Sequence, residues 1–561
     1  MSKPKRSREN IIKTVSSSSE GETDFAFLKL LQNNNLIYWC LFLAFILFIV
    51  FIRFRMLGIP LERDEGEYAY MGQLMLQGKA PYTLAYNMKY PGTAVIYAFF
   101  ISIFGHSPSG VHLGLLVTNV SSIILVLLIA RNFMGRFPAL ISSFIFGILS
   151  LGYYVLGFAF HATHLVTLFA LLGTWMMLKA FNEDKKGFYF GAGVFLCLSL
   201  IMKQTGIFFI FFGLMSAFVY LYFNKKSGKV GWLKNMAWMG LGVFLPFFFM
   251  MVLIYLSGAF DKFWFWTYTY LKEYATKVEW NKGVEYFKYE SGRILKGTYL
   301  IWLTALAGFI LSLFTNNVRK ENKIILGLFC LFSIFTVIPG FYFRAHYFVP
   351  LIPAVGIFFG LFVDHLLFRK NVLPMAVKYV VWGFLFFAVL IAIKNEGEYL
   401  FSHSPNQISR SMYGANPFAE ALPISKYIKA NTKADDRIAV LGSEPEIYFY
   451  SDRISATGHI YTYSLMEPQE HNIQMQKEMA KEIESNNPAF IVYVFIPTSW
   501  NRDDDSKTFL FDWAQEYLNK YYSKVGVVDF ISRDETVFKW DSEVSDYSVK
   551  SQLYINVYKR R

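Results

Sequence analysis

The sequence predicts a polytopic α-helical membrane protein of about 11 transmembrane helices that carries a C-terminal extracytoplasmic α/β domain. Three observations lead there. Apolar residues gather in runs of roughly twenty, the length that crosses a hydrocarbon core of about 30 Å. Lys and Arg collect in alternate short connections. From about Tyr413 the apolar runs shrink to strand length. The 561 residues are 54% hydrophobic and 19% aromatic against 17% charged, with a formal net charge of +13. Much of that excess sits in connections where topology calls for it, so no nucleic-acid partner is expected. Cys40, Cys197 and Cys330 each fall inside an apolar run, which gives no disulfide framework and no thiolate metal site.

Taken in order, residues 1–35 read as a disordered cytoplasmic tail, basic at first and then Ser-rich ("SSSSEGET"). The first apolar run lacks a small-residue cleavage site and reads as an uncleaved anchor. Candidate spans fall at 36–56, 110–130, 137–155, 162–181, 187–202, 205–223, 235–256, 298–315, 324–341, 347–367 and 376–394. With the tail inside, even-numbered crossings return the chain to the cytoplasm at "RNFMGR", "NEDKKG", "NKKSGKVGWLK", "NNVRKENK" and "FRKN", all of them basic. Residues 36–394 therefore form the membrane domain, with a first external loop at 57–109. Residues 395–561 are an outer domain, whose strands are expected in "RIAVLG", "PAFIVYVF", "KVGVVDF" and "QLYINVYKR" around the helix "EHNIQMQKEMAKEIESNN". Its "GSEPE" turn lacks the glycine spacing of a phosphate loop.

The first loop opens on a polar island, "RDEGEYAYMGQLMLQGKAPYTLAYNMKYPG". Tyr68, Met71 and Met75 recur at i, i+3 and i+7, which predicts a helix lying on the membrane surface, stopped by Gly78 and Pro81. Asp64 followed by Glu67 reads as an N-cap and capping box. Asp64, Glu65, Lys89, His161, His164, Lys203, Arg344 and His346 nevertheless all fall on one side, at outer span ends or in the island. Charges beside hydrocarbon are costly unless paired or used. Lys203 in "LIMKQTGIFF" is either a snorkelling lysine or a working one. Arg344, His346 and Tyr347 in "YFRAHYFVP" are either interfacial anchors or part of a site. His161 and His164 share a helical face, as a hydrogen-bonded pair or as acceptor or metal contacts. Cations that hold a lipid phosphate, with a carboxylate to take a proton, suit transfer of a group from a lipid phosphate.

"RDEGEYAYMGQLMLQGKAPY…MKYPG", "HATHLVTLFALLGTWMML", "LIMKQTG" and "RAHYFVPLIP" together resemble the GT-C fold glycosyltransferases of the protein O-mannosyltransferase and aminoarabinose transferase type (glycosyltransferase family 39-like). The resemblance implies a catalytic pair, Asp64 as base and Glu65 beside it, with Lys89 on the donor phosphate. It also implies a polyprenyl-phosphate-linked sugar as donor, transferred with inversion to a lipid, glycan or protein acceptor. The expected setting is the outer face of a bacterial inner membrane, with the N-terminus cytoplasmic and the C-terminal domain extracytoplasmic. No cofactor is required by the sequence, and a divalent metal stays open. Relatives carry an acidic residue near His161 and His164, so the role of these two is open as well. The alternatives are a transporter or flippase of a lipid-linked glycan and an outer-face polysaccharide polymerase or ligase. A transporter would favour internal repeats and mid-span charges.

Overall fold

The computed structural model describes residues 34–224, 228–316, 318–369 and 372–561. The expected tail therefore lies outside the described residues, except for its last two positions. The membrane region is built from helices α1 (Asn35–Met56), α2 (Arg63–Leu76), α3 (Gly92–Phe104), α4 (Pro108–Ala130), α5 (Arg136–Ser150), α6 (Ala162–Glu183), α7 (Lys186–Met202), α8 (Ile207–Asn224), α9 (Gly228–Leu256), α10 (Trp280–Leu295), α11 (Tyr299–Phe314), α12 (Lys320–Phe335), α13 (Ile352–Leu367) and α14 (Met375–Asn395). Among the described residues seven helical segments are long and apolar enough to cross a membrane unaided. The number is eight when α10 and α11, bent by 102°, count as one span. The remaining expected spans fall on the shorter helices α5, α7 and α12. Lipid-facing surface is plain on α1, where Leu36, Trp39, Leu43, Leu47, Phe51 and Phe54 are all exposed, as expected where hydrocarbon is the solvent.

Two expected spans are shortened at their facing ends. α12 stops at Phe335, six residues short, and α13 is preceded by a tight helical turn over Ala345–Leu351. Between them, Gly340, Phe341 and Phe343 take left-handed backbone, with φ of 75°, 54° and 45°. Pro339 and Pro350 remove backbone donors on either side, so neither helix can run through. The third expected span likewise closes at Ser150, and the chain then turns through Leu156 at φ 56°.

The surface helix also needs correction. α2 forms where expected, and its end is a Schellman turn in which Gly78 is left-handed (φ 74°) and the Lys79 N–H reaches the Leu74 carbonyl at 2.9 Å. It does not lie on lipid, however, because every residue from Glu65 to Leu74 is buried. α3 has the lipid-facing stripe instead, with Val95, Phe99 and Ile103 exposed at i, i+4 and i+8.

After α14 the chain builds α15 (Phe418–Ala430), α16 (Glu446–Ser451), α17 (Asn472–Asn486) and α18 (Phe509–Tyr521) around one sheet. Its strands are β1 (Arg437–Leu441), β2 (Ile454–Ser455), β3 (Phe490–Phe495), β4 (Tyr522–Phe530), β5 (Thr536–Trp540) and β6 (Tyr554–Arg560), in the order β2-β1-β3-β6-β4-β5. β2, β1 and β3 are parallel, and the remaining pairs are antiparallel. All four expected strands are present, and β2 and β5 are additions.

Candidate active site between the first loop and the outer helix ends

The first turn of α2 is capped by Glu62, not by Asp64. Glu62 accepts from the Glu65 N–H at 3.0 Å, and Glu65 accepts from the Glu62 N–H at 3.3 Å, a complete capping box two residues ahead of the expected one. Asp64 is left inside the first turn with its carboxylate released from capping. Lys89 Nζ lies 3.5 Å from one Asp64 oxygen, and His161 Nδ1 lies 3.7 Å from the other. Lys89 is also 3.5 Å from Glu67 and stands 4.6 Å above the Tyr68 ring.

These neighbours set the charge states. Burial would raise the Asp64 carboxyl, but Lys89 and His161 hold it well below the usual carboxylate range. Burial opposes the charge on Lys89, yet Asp64, Tyr68 and Glu67 keep it well above the usual lysine range. Glu67 is different: burial, with Asp64 nearby, pushes it up to about 7 against the pull of Lys89.

Glu65, expected as a catalytic partner, is a brace. It is buried, one oxygen accepts from the Phe160 N–H at 2.6 Å and faces His112 Nε2 at 3.0 Å, and the other serves the capping box. It thereby ties α2 to the turn before α6 that delivers His161. Lys89 is delivered by a loop pinned at several points. The Tyr82 hydroxyl donates to the Lys89 carbonyl, Gln204 donates to the Met88 carbonyl, and Thr93 donates to the Met202 carbonyl. The "MKYPG" and "LIMKQTG" segments thus dock on each other, which brings Lys203 close enough to Lys89 for the two charges to oppose one another.

Lys203 Nζ sits 3.7 Å above the Tyr347 ring. Arg344 is exposed, stacks on Tyr342 at 5.6 Å and makes no ion pair among the described residues. Next to it, α10, Phe341, Phe343 and the end of α12 enclose an apolar cavity of about 500 Å³, lined by Trp280, Val284, Phe287 and Ile338 among others. Arg293, on α10, is engaged with Glu290 at 3.2 Å.

The His346 ring stacks face to face on His161, with centroids 4.0 Å apart and planes 10° apart. Asp64, His161 and His346 each offer one donor atom within 4.8 Å of the others. Both ring nitrogens of His161 are buried without a hydrogen bond, so the set fits a divalent metal. One carboxylate with two imidazoles suits zinc better than magnesium. His164 does not join the site, nor is it hydrogen-bonded to His161 through its ring: its ring nitrogens are buried without a hydrogen bond, and only its backbone N–H reaches His161. Sequence reasoning missed Glu62 as the cap, Glu67 as a second partner of Lys89, and Arg63. Glu62 and Glu65 carry the i, i+3 spacing that could have found the box.

Comparison with known proteins bears on the fold. The family described as dolichyl-phosphate-mannose-protein mannosyltransferase matches residues 88–255, a stretch that holds Lys89, His161 and Lys203 but not Asp64 or Arg344. ArnT from Cupriavidus metallidurans bound to undecaprenyl phosphate is 15% identical, with 93% of this chain and 98% of that one covered at a TM-score of 0.57. The Archaeoglobus fulgidus oligosaccharyltransferase in its apo form is 11% identical, with 91% and 75% covered at a TM-score of 0.52. No curated protein sequence matches the chain. The chain has the GT-C fold of membrane glycosyltransferases, and it is a multi-pass membrane protein.

Proposed function

We propose that the protein is a membrane glycosyltransferase that moves a sugar from a polyprenyl-phosphate donor to an acceptor hydroxyl on the outer face of a bacterial inner membrane. The observation that carries this reading is Asp64: an ionised carboxylate, unused by its helix cap and flanked by Lys89 and His161. The dolichyl-phosphate-mannose-protein mannosyltransferase match, the similar ArnT structure with undecaprenyl phosphate and a similar structure of the Archaeoglobus fulgidus oligosaccharyltransferase with an inhibitory peptide and a dolichol-phosphate support the class of donor.

In this mechanism Lys89, Lys203 and Arg344 hold the donor phosphate. The acceptor oxygen attacks the anomeric carbon from the face opposite the phosphate, the carbon–oxygen bond to phosphate breaks, and the proton passes to Asp64. The configuration inverts, and polyprenyl phosphate leaves with its charge matched by the cations. Lys89 couples the two halves. As the donor phosphate draws its ammonium away, Asp64 loses the neighbour that depresses its basicity and becomes a better base. The apolar cavity beside Arg344 would hold part of the prenyl chain. A divalent metal held by Asp64, His161 and His346 would add Lewis-acid charge stabilisation at the phosphate. Tyr347 orients Lys203, and Glu65 supports the site without touching substrate.

Purified protein in nanodiscs should transfer sugar from a polyprenyl-phosphate donor and release polyprenyl phosphate. Transfer from a nucleotide sugar with no lipid donor present would refute the reading.

A further inference from the structure

Arg63 directly precedes Asp64, yet all its hydrogen bonds go to the sheet domain and the segment leading into it. Its Nε donates to the Ser443 carbonyl at 2.5 Å, one terminal nitrogen donates to the Tyr463 hydroxyl at 2.7 Å, and the other donates to Asn416 Oδ1 at 3.1 Å and Glu444 at 3.3 Å. The guanidinium also stacks near Phe418, Tyr461 and Tyr463, at 5.5, 5.9 and 5.2 Å. A planar fork with five donors suits such a cage, and an ammonium does not. Glu444 is fully buried, and Arg63 is its ion-pair partner among the described residues. Ser443 and Glu444 belong to the "GSEPE" turn, whose last member, Glu446, begins α16 and presses its backbone against Gly66. A Cβ on Gly66 would stand 2.7 Å from the Glu446 nitrogen.

Nothing in a helix requires an arginine before its second residue to be caged in this way, and the dock does not depend on it. Tyr450 donates no cap but accepts the Leu61 N–H at 2.8 Å, Ser455 donates its N–H to the Tyr70 hydroxyl at 2.7 Å, and Gln73 donates to Asp452 at 2.9 Å. Those contacts hold α2 along its length. Within the turn that carries Asp64, Arg63 is the side chain gripped by the C-terminal domain, while Glu65 braces the same turn from the membrane side through the Phe160 N–H and His112.

We infer that Arg63 is a positioning residue through which the C-terminal domain sets the place of the Asp64 carboxylate. The inference rests on the reading of Asp64 as the base and gives the C-terminal domain a part in catalysis. A displacement of the order of 1 Å in a reacting group costs about 10²-fold in rate. The grip acts on the base and reaches the phosphate-holding cations only through the Lys89–Asp64 pair, so its loss appears chiefly in kcat and little in donor KM.

The test uses the full chain in nanodiscs, with Arg63→Ala, Arg63→Lys and, from the other side of the cage, Tyr463→Phe. Arg63→Ala is expected to lower kcat by about 10- to 100-fold per folded molecule, with donor KM within about twofold. Arg63→Lys should fall between wild type and alanine, because it restores the charge on Glu444 but not the fork. Tyr463→Phe, the mildest change, should lower kcat in the same direction and keeps the test open if Arg63→Ala does not fold. Amide exchange of residues 63–67 should accelerate in each variant. Wild-type kcat and unchanged exchange in Arg63→Lys and Tyr463→Phe would overturn the inference, as would a rise in donor KM at constant kcat. Asp64→Asn in the same assay separates the two failures. Normal transfer by Asp64→Asn overturns the base assignment, whereas normal kcat in the Arg63 variants beside an inactive Asp64→Asn overturns the grip.

Discussion

Asp64→Asn keeps the size and one acceptor oxygen of the side chain and leaves the Glu62–Glu65 capping box untouched. It should therefore fold normally and lose about 10² to 10⁴ in transfer rate, read as product formed per folded protein. Glu67 gives a second test through pH. Its carboxyl titrates at about 7 in the folded protein and near 4.3 in an unfolded chain. The folded state thus binds the extra proton between these values, and stability falls as pH rises from about 4.3 to about 7. Glu67→Gln should flatten that slope in thermal melts. Above pH 7 the ionised Glu67 competes with the donor phosphate for Lys89, so donor KM should climb in the wild type and stay level in Glu67→Gln. The sequence already pointed to Asp64 and Lys89, because charge beside hydrocarbon stands out. It pointed to the wrong cap, since "ERDEGE" holds two i, i+3 acidic pairs in overlapping registers. Only His112 and the Phe160 N–H, distant in sequence, decide that Glu65 is the one turned inward.

The helix Arg63–Leu76 is clamped on two sides by backbone. Gly66 meets Glu446, and Gly72 meets α3, where a Cβ would lie 2.8 Å from the Ala98 nitrogen. Neither contact can yield by moving a side chain. Gly66→Ala and Gly72→Ala should each destabilise the protein by about 1–3 kcal/mol, seen as lowered melting temperatures in detergent. Gly187→Ala, where nothing lies within 4 Å, should be neutral. Hydrophobic periodicity identified this helix correctly and misplaced it. A stripe of Tyr68 and Met71 needs an apolar partner, and the pattern is the same whether that partner is lipid or protein. What distinguishes them is the pair of glycines, which lipid would not require.

The arrangement of charged connections predicts how the whole chain threads the bilayer. Reporter fusions after Lys394 should read as extracytoplasmic, and fusions near Lys229 as cytoplasmic. A cytoplasmic C-terminus would separate the sheet domain from the outer-face site. The long apolar helices and the strands of the outer domain were legible because length and period alone define them. The broken stretch between α12 and α13 was not, since its left-handed Phe341 and Phe343 answer to packing against Trp280 and Phe287 of α10, distant in sequence. The cage around Arg63 carries a consequence for how the protein is made. Arg63 is paired across 353 to 400 residues of sequence, so a growing chain can have inserted its helices, lysines and Asp64 while the partners of Arg63 are still unsynthesised. Such a chain is a complete membrane bundle without a set base. On the proposed reading, transfer would begin only once the sheet domain has folded onto α2, so half-made copies would leave the donor unspent.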